Sequence, residues 1–296
     1  ISLRCIRRLI LFCAILDFYR NKVTFGNCPL LILMKVKNGW KYRKKHVRGQ
    51  KRVQRMFRRY RKEKLMENLI IESDNLIAMR KLLPEYEGKI DVMPIDPPYN
   101  TNISYVGYKD FDSRWNVFMR ERLEVAYKFL SNRGVMFIHI DENEYVALYN
   151  ICSEIFGCEN VRILIWKKTN DYFDKNRIEK PLENGIRRTH EFVLLCGKNL
   201  KETVLKPIMQ PTLQNGKVVE REKPLETVID FLGTTSSAKD EIACLLGDRA
   251  IFSTPKPVKL IKEFVRAGSN KNCIILDFFA GSGTTGHAVM DLNKED

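Results

Sequence analysis

The chain has 296 residues, 44% hydrophobic and 29% charged, which suits one large globular domain or two small ones. Its eight cysteines form no CxxC pair and no Cys/His cluster with zinc spacing, so they read as reduced thiols in a cytosolic protein without a metal site. The net charge of +15 is lopsided: residues 1–64 hold 20 of the 51 Lys/Arg against only Asp17 and Glu63, so any nucleic-acid surface on the remainder must be a local patch.

In chain order, the apolar run Leu9 to Leu16 is too short to span a bilayer and is followed at once by Asp17. No small-residue cleavage site of a secretory leader follows it, and no membrane association is expected. Residues 41–64, rich in Lys and Arg, read as a nucleic-acid-binding arm, as a solvated basic helix, or as residues translated from outside the true start of the protein. Residues 1–64 are therefore set apart as a basic segment, helical or without fixed structure. After Lys64 the texture becomes strands alternating with helices. Residues 68–73 and 89–96 read as buried strands, with a helix over 75–83 between them. Trp115, Phe118, Met119, Leu123, Ala126 and Leu130 recur at helical spacing, and Asn132-Arg133-Gly134 is the expected stop. A strand over 135–141, a helix stopped by Gly157, and strands over 161–168 and 190–198 follow. Residues 199–250 read as irregular. A helix is expected from Thr254 as cap with Pro255 just inside it, then a strand, a glycine turn and a last helix start. Such alternation predicts an α/β fold with a mostly parallel sheet covered on both faces.

Ligands of open parallel sheets bind at the carboxyl ends of strands, and two motifs fall there. The first is Asp96-Pro97-Pro98-Tyr99. Prolines fix the backbone and leave carbonyls free to accept, Asp96 adds a carboxylate, and Tyr99 adds a flat face. Together these match an exocyclic amino group on a planar base, although the four residues alone also fit a proline turn. The second is Asp277-Phe-Phe-Ala-Gly-Ser-Gly-Thr-Thr285, whose glycines allow a tight turn ahead of a helix N-terminus. It lacks the GK[ST] of a Walker loop and the third glycine of the dinucleotide fingerprint.

Together the motifs resemble the amino-methylating DNA methyltransferases, in the permuted β-group order with the catalytic motif first. "SDNLIAMRKLL", "GVMFIHIDENE", "THEFVLLCGKN" and "TPKPVKLIK" are further similar to the modification subunit of type III restriction systems, over residues 66 to 296. The resemblance implies a Rossmann-like methyltransferase domain over 65–296: a catalytic half (65–198), a short target-recognition-like insert (199–250) and a cofactor half (251–296). It implies methyl transfer from S-adenosylmethionine to adenine N6 of a base flipped out of double-stranded DNA. Asp96 and the Pro97 carbonyl would hold the N6 amine, Pro98 would shape the loop, and Tyr99 would stack on the base. Phe279, Gly281 and Gly283 would wrap the methionine end of the cofactor, with Asp277 and Thr284 close by and Pro255, Lys256 and Pro257 closing over it. Asp74 matches a family cofactor position, but a helix cap explains it equally. Arg187 and Arg188 are candidates for phosphate contact. A helicase-nuclease restriction subunit and a second copy of the chain are the implied protein partners. The family's interior strand after the cofactor helix would fall beyond Asp296, so the chain reads as a fragment with one sheet strand missing. The alternative is an inactive remnant that keeps only DNA or partner binding.

Overall fold

The computed structural model describes residues 8–13, 30–36, 39–43, 68–101, 114–169, 186, 188–270 and 272–295. Most of the basic stretch 41–64 and Arg187 lie outside them. The strands are β1 (Arg8–Cys13), β2 (Leu30–Val36), β3 (Gly39–Arg43), β4 (Asn68–Glu72), β5 (Ile90–Ile95), β6 (Leu130–Ile140), β7 (Val161–Lys167), β8 (His190–Gly197), β9 (Ile208–Gln214), β10 (Lys217–Lys223), β11 (Val228–Ile229) and β12 (Ile274–Asp277). The helices are α1 (Asn75–Tyr86), α2 (Trp115–Phe129), α3 (Tyr145–Phe156), α4 (Thr235–Leu246), α5 (Val258–Gly268) and α6 (Thr284–Glu295). Among the described residues no helix is long and apolar enough to cross a membrane.

One sheet carries the site, in the order β11-β7-β8-β6-β5-β12-β1-β4-β2-β3. It is parallel from β6 through β5, β12, β1 and β4 to β2. It is antiparallel where β8 meets β6 and β7, and where β3 meets β2. Successive residues of the central strands face opposite layers. Met93, Ile95, Met136 and Ile138 join Met79, Trp115 and Phe129 in one core. Val92, Val135, Phe137 and Ile275 join Phe264, Val289 and Leu292 in the other. Burial on both faces is why these strands read as continuous apolar runs.

Four sequence expectations change. Asn132-Arg133-Gly134, expected to stop a helix ahead of a strand over 135–141, lie inside β6, which starts at Leu130 directly after α2. The slot beside β12, expected to lack its strand, is filled. β1 pairs in parallel with β12 (Arg8↔Ile274 to Leu11↔Asp277) and with β4 (Ile10↔Leu69 to Cys13↔Glu72). The described parts of residues 1–64 are thus strands and not helix, and the backbone of β12 has neighbours on both sides. The helix expected from Pro255 begins only at Val258, because Pro257 is its N-cap at φ −66°, ψ 138°. A residue before proline is driven out of the helical region, so Lys256 stays on an extended segment. The region 199–250, expected to be irregular, contains the β9–β10 hairpin, β11 and α4. The hairpin turns on Asn215 and Gly216, both at positive φ.

Candidate active site

β5 and β12 run side by side in parallel, with Ile275 opposite Val92, so the chain leaves both strands at the same sheet edge. Asp96 begins the exit from β5. The indole N–H of Trp115, the first residue of α2, donates to the Pro98 carbonyl at 2.7 Å and anchors the double-proline turn. Among the described residues no donor is placed on the Pro97 carbonyl.

Asp96 is not solitary. Its Oδ1 accepts from the Tyr99 hydroxyl at 2.7 Å, and the Lys256 ammonium lies 2.8 Å from each of its two oxygens. Glu191, the second residue of β8, completes the cluster. The Tyr99 hydroxyl is 2.9 Å from its Oε2 and the Lys256 ammonium 3.3 Å from the same atom. Lys168, just past β7, reaches its Oε1 at 3.3 Å. Glu191 and Lys256 are almost wholly buried, while Asp96 keeps 29% of its side chain accessible.

Burial favours the neutral form of each of these groups, and the opposite charges beside them oppose it. Burial raises the Asp96 carboxyl, with the Lys256 ammonium working against it. Burial would lower Lys256, but Asp96 and Glu191 outweigh it and raise it, so the ammonium stays charged. Burial would raise Glu191 too, yet Lys256 and Lys168 hold its carboxyl at about 2. Tyr99 is pushed well above 10 by burial and by both carboxylates, so it keeps its proton. His139 on β6 is fully buried with neither ring nitrogen hydrogen-bonded, and its ring meets Trp166 edge-on at 6.0 Å. Burial and then Lys256 lower it to about 3, which leaves it neutral.

The glycine turn is held by Asp277. Its Oδ1 accepts the Phe279 N–H at 2.9 Å and its Oδ2 the Thr285 hydroxyl at 2.7 Å. Burial pushes this carboxyl up to about 7. Gly281 and Gly283 sit at φ 51° and 79°, where a side chain is strained. A Cβ on Gly281 would also come within 3.4 Å of the Phe252 ring. Thr284 bonds the Lys256 carbonyl at 3.2 Å and so ties the turn to the Pro-Lys-Pro segment.

A cleft of about 330 Å³, open mouth included, joins the motifs; Asp96, Phe252, Lys256, Phe279, Gly281 and Thr284 line it. Thr284 opens α6, so the unpaired N–H groups of that helix end lie beside the cleft. Pro255 and Asp277 line it as well, whereas Pro257 sits behind them as the cap of α5. Asp74 lies off the cleft. It caps α1 through the Ile77 N–H at 3.0 Å and pairs with Arg122 at 3.3 Å. Its neighbour Asn75 makes the contact with the glycine segment, donating to the Phe278 carbonyl at 2.8 Å. Arg188 is half exposed and paired with Glu142. Glu191 and Lys168 were not foreseen. The available signal was an acid at the head of an otherwise apolar strand, and since β8 runs antiparallel to β6 its start falls at the sheet edge where β5 and β12 end.

Fold and site define a Rossmann-like α/β protein whose acidic proline clamp and glycine turn share one cleft. The chain belongs to the DNA methylase family (N6_N4_Mtase), whose model matches residues 90–295. It is 28% identical to the StyLTI Mod subunit, a type III restriction-modification enzyme of Salmonella typhimurium, over 77% of this chain and 50% of that one. It is 25% identical to the EcoPI Mod subunit of Escherichia phage P1, also a type III restriction-modification enzyme, over 78% of this chain and 56% of the other. The type II methyltransferase M.KpnI of Klebsiella pneumoniae is 25% identical over 75% of this chain and 76% of its own. The chain thus spans about half the length of these two type III subunits.

Proposed function

We propose that this chain methylates adenine N6 in DNA, with S-adenosylmethionine as methyl donor, as the modification component of a restriction-modification system. The observation that carries the reading is the meeting of Asp96 and the glycine turn on one cleft, bridged by Lys256. An assembled cleft supports an enzyme over a remnant that only binds. The positive-φ glycines, the open N-terminus of α6 and the ring of Phe252 fit a small nucleoside-bearing ligand. S-adenosylmethionine bound there supplies a methyl group on a sulfonium, a carbon already primed for displacement.

The protein's own part is positioning and electrostatics. Asp96 Oδ2 and the Pro97 carbonyl accept the two N6 protons of a flipped adenine and turn the nitrogen toward the methyl carbon. Tyr99, its hydroxyl tethered inside the cluster, presents its ring to the base. The methyl carbon would exchange its bond to sulfur for one to nitrogen, which would leave the amine with one proton too many. Asp96 Oδ2 would take that proton and pass it to solvent. A restriction subunit and a second copy of the chain are the partners this reading carries, with double-stranded DNA as substrate.

The test is transfer of labelled methyl to unmethylated DNA. Label on adenine N6, reduced about 100-fold or more in Asp96→Ala, is the expected result. Label on cytosine N4 alone, or full activity in the variant, would overturn the reading.

A further inference from the structure

The buried cluster contains more acceptors than donors. The single Tyr99 O–H stands 2.7 Å from Asp96 Oδ1 and 2.9 Å from Glu191 Oε2, so it can donate to only one carboxylate at a time. Lys256 has three N–H groups for four acceptors: both Asp96 oxygens at 2.8 Å, the Tyr99 oxygen at 3.0 Å and Glu191 Oε2 at 3.3 Å. The same atoms therefore support two arrangements. In the one observed, donors lean on Asp96. In the other they lean on Glu191, after a shift of Lys256 by about half an ångström.

The observed arrangement does not suit the chemistry. An ammonium on both Asp96 oxygens cancels the negative charge that should polarise an incoming amine. Expelling Lys256 without a second partner would strand a buried cation at large cost. Glu191 removes that cost, and Lys168 on its other oxygen keeps it anionic.

We propose that Glu191 is a positioning residue for methyl transfer: it is the alternative seat of the Lys256 ammonium and the Tyr99 O–H, releasing Asp96 when an amine arrives. This rests on the methyl-transfer reading. The groups facing the cluster are Asp96 and Tyr99 after β5, His139 on β6, Lys168 after β7 and Lys256 ahead of α5, with Asp141 and Asp277 in electrostatic range.

The experiment compares wild type, Glu191→Gln, Lys256→Met and the double variant in single-turnover methyl transfer, in S-adenosylmethionine affinity by calorimetry, and in Lys256 titration by ¹⁵N NMR of the cofactor-free protein. Glu191→Gln is expected to slow the single turnover roughly 10- to 100-fold with cofactor affinity unchanged. Lys256 should titrate at lower pH in that variant, because one of the anions raising it is gone. The double variant should lose less than the product of the two single losses, since Glu191 acts largely through Lys256. A wild-type rate in Glu191→Gln, or losses that multiply in the double variant, overturns the inference. Should Glu191→Gln not fold, Glu191→Asp carries the test: a slowed rate at unchanged cofactor affinity supports the inference and a wild-type rate overturns it. If the wild type itself transfers no methyl group, the methyl-transfer reading fails instead. The Lys256 titration then still decides whether Glu191 holds that ammonium.

Discussion

Asp277 uses both carboxylate oxygens on its own chain, one on Phe279 and one on Thr285, and it titrates at about 7 because it is buried. It therefore shapes the turn. The sign of its pH effect follows from proton linkage. Between the ordinary carboxyl value of 3.8 and the raised one, the folded state holds more protons than the unfolded state. Its contribution to stability is full below about 4 and is lost as pH rises through about 7. Asp277→Asn, which keeps the acceptor for Phe279 and cannot ionise, should flatten that fall. Denaturant midpoints at pH 5 and pH 8 for both proteins measure it, and an equal fall in both would show that Asp277 does not titrate there. At this scale the sequence was legible wherever the candidate site is packed into one short segment: Asp96 to Tyr99, and Phe279 to Gly283. Glu191 was not legible. It enters from 92 residues beyond Tyr99, on an antiparallel strand, and only folding brings the two together.

At the scale of elements, α5 sets the position of Lys256, and its own position is set by packing. Phe264 stacks flat on Phe137 of β6, rings 4.3 Å apart and 3° from parallel, both fully buried. A second hold is electrostatic, since the Val258 N–H at the head of α5 donates to Glu241 of α4 at 2.9 Å. Phe264→Ala should cost about 3–5 kcal/mol of unfolding free energy by cavity formation. It should also weaken S-adenosylmethionine binding, because the extended segment ahead of α5 loses its base. Chemical denaturation and calorimetry read the two effects. A destabilised variant with unchanged affinity would mean that Lys256 is held by the cluster alone. Periodicity foretold α2, and continuous apolar runs foretold β5 and the part of β6 from Val135 onward. Periodicity failed over 199–250, where the local signal was an Asn-Gly turn between a strand buried only near its start and a largely exposed one, neither with a sustained apolar run.

For the whole molecule, the unforeseen feature is where the chain's beginning goes. Read as a sequence, the run around Leu9 to Cys13 is too short for a bilayer span, and the charge that follows hides it. Its length and apolar texture are equally those of a strand buried on both sides in a parallel sheet. In the fold it lies between β12 and β4, so the strand that carries Asp277 is interior, and the sheet runs unbroken from β11 to β3. A proline at Ile10, which sits opposite Leu276 on one side and Leu69 on the other, tests that placement. Proline removes a ladder donor, and interior strands do not tolerate it. Ile10→Pro should lower stability by about 1–3 kcal/mol, the cost of one orphaned buried backbone group, or more if β1 detaches. The amides of Ile275 to Asp277 should then exchange faster with solvent, and S-adenosylmethionine affinity should fall with them, because the glycine turn springs from the end of β12. Unchanged exchange at those amides would mean that β12 keeps its partners without β1, and the interior placement of Arg8–Cys13 would be wrong.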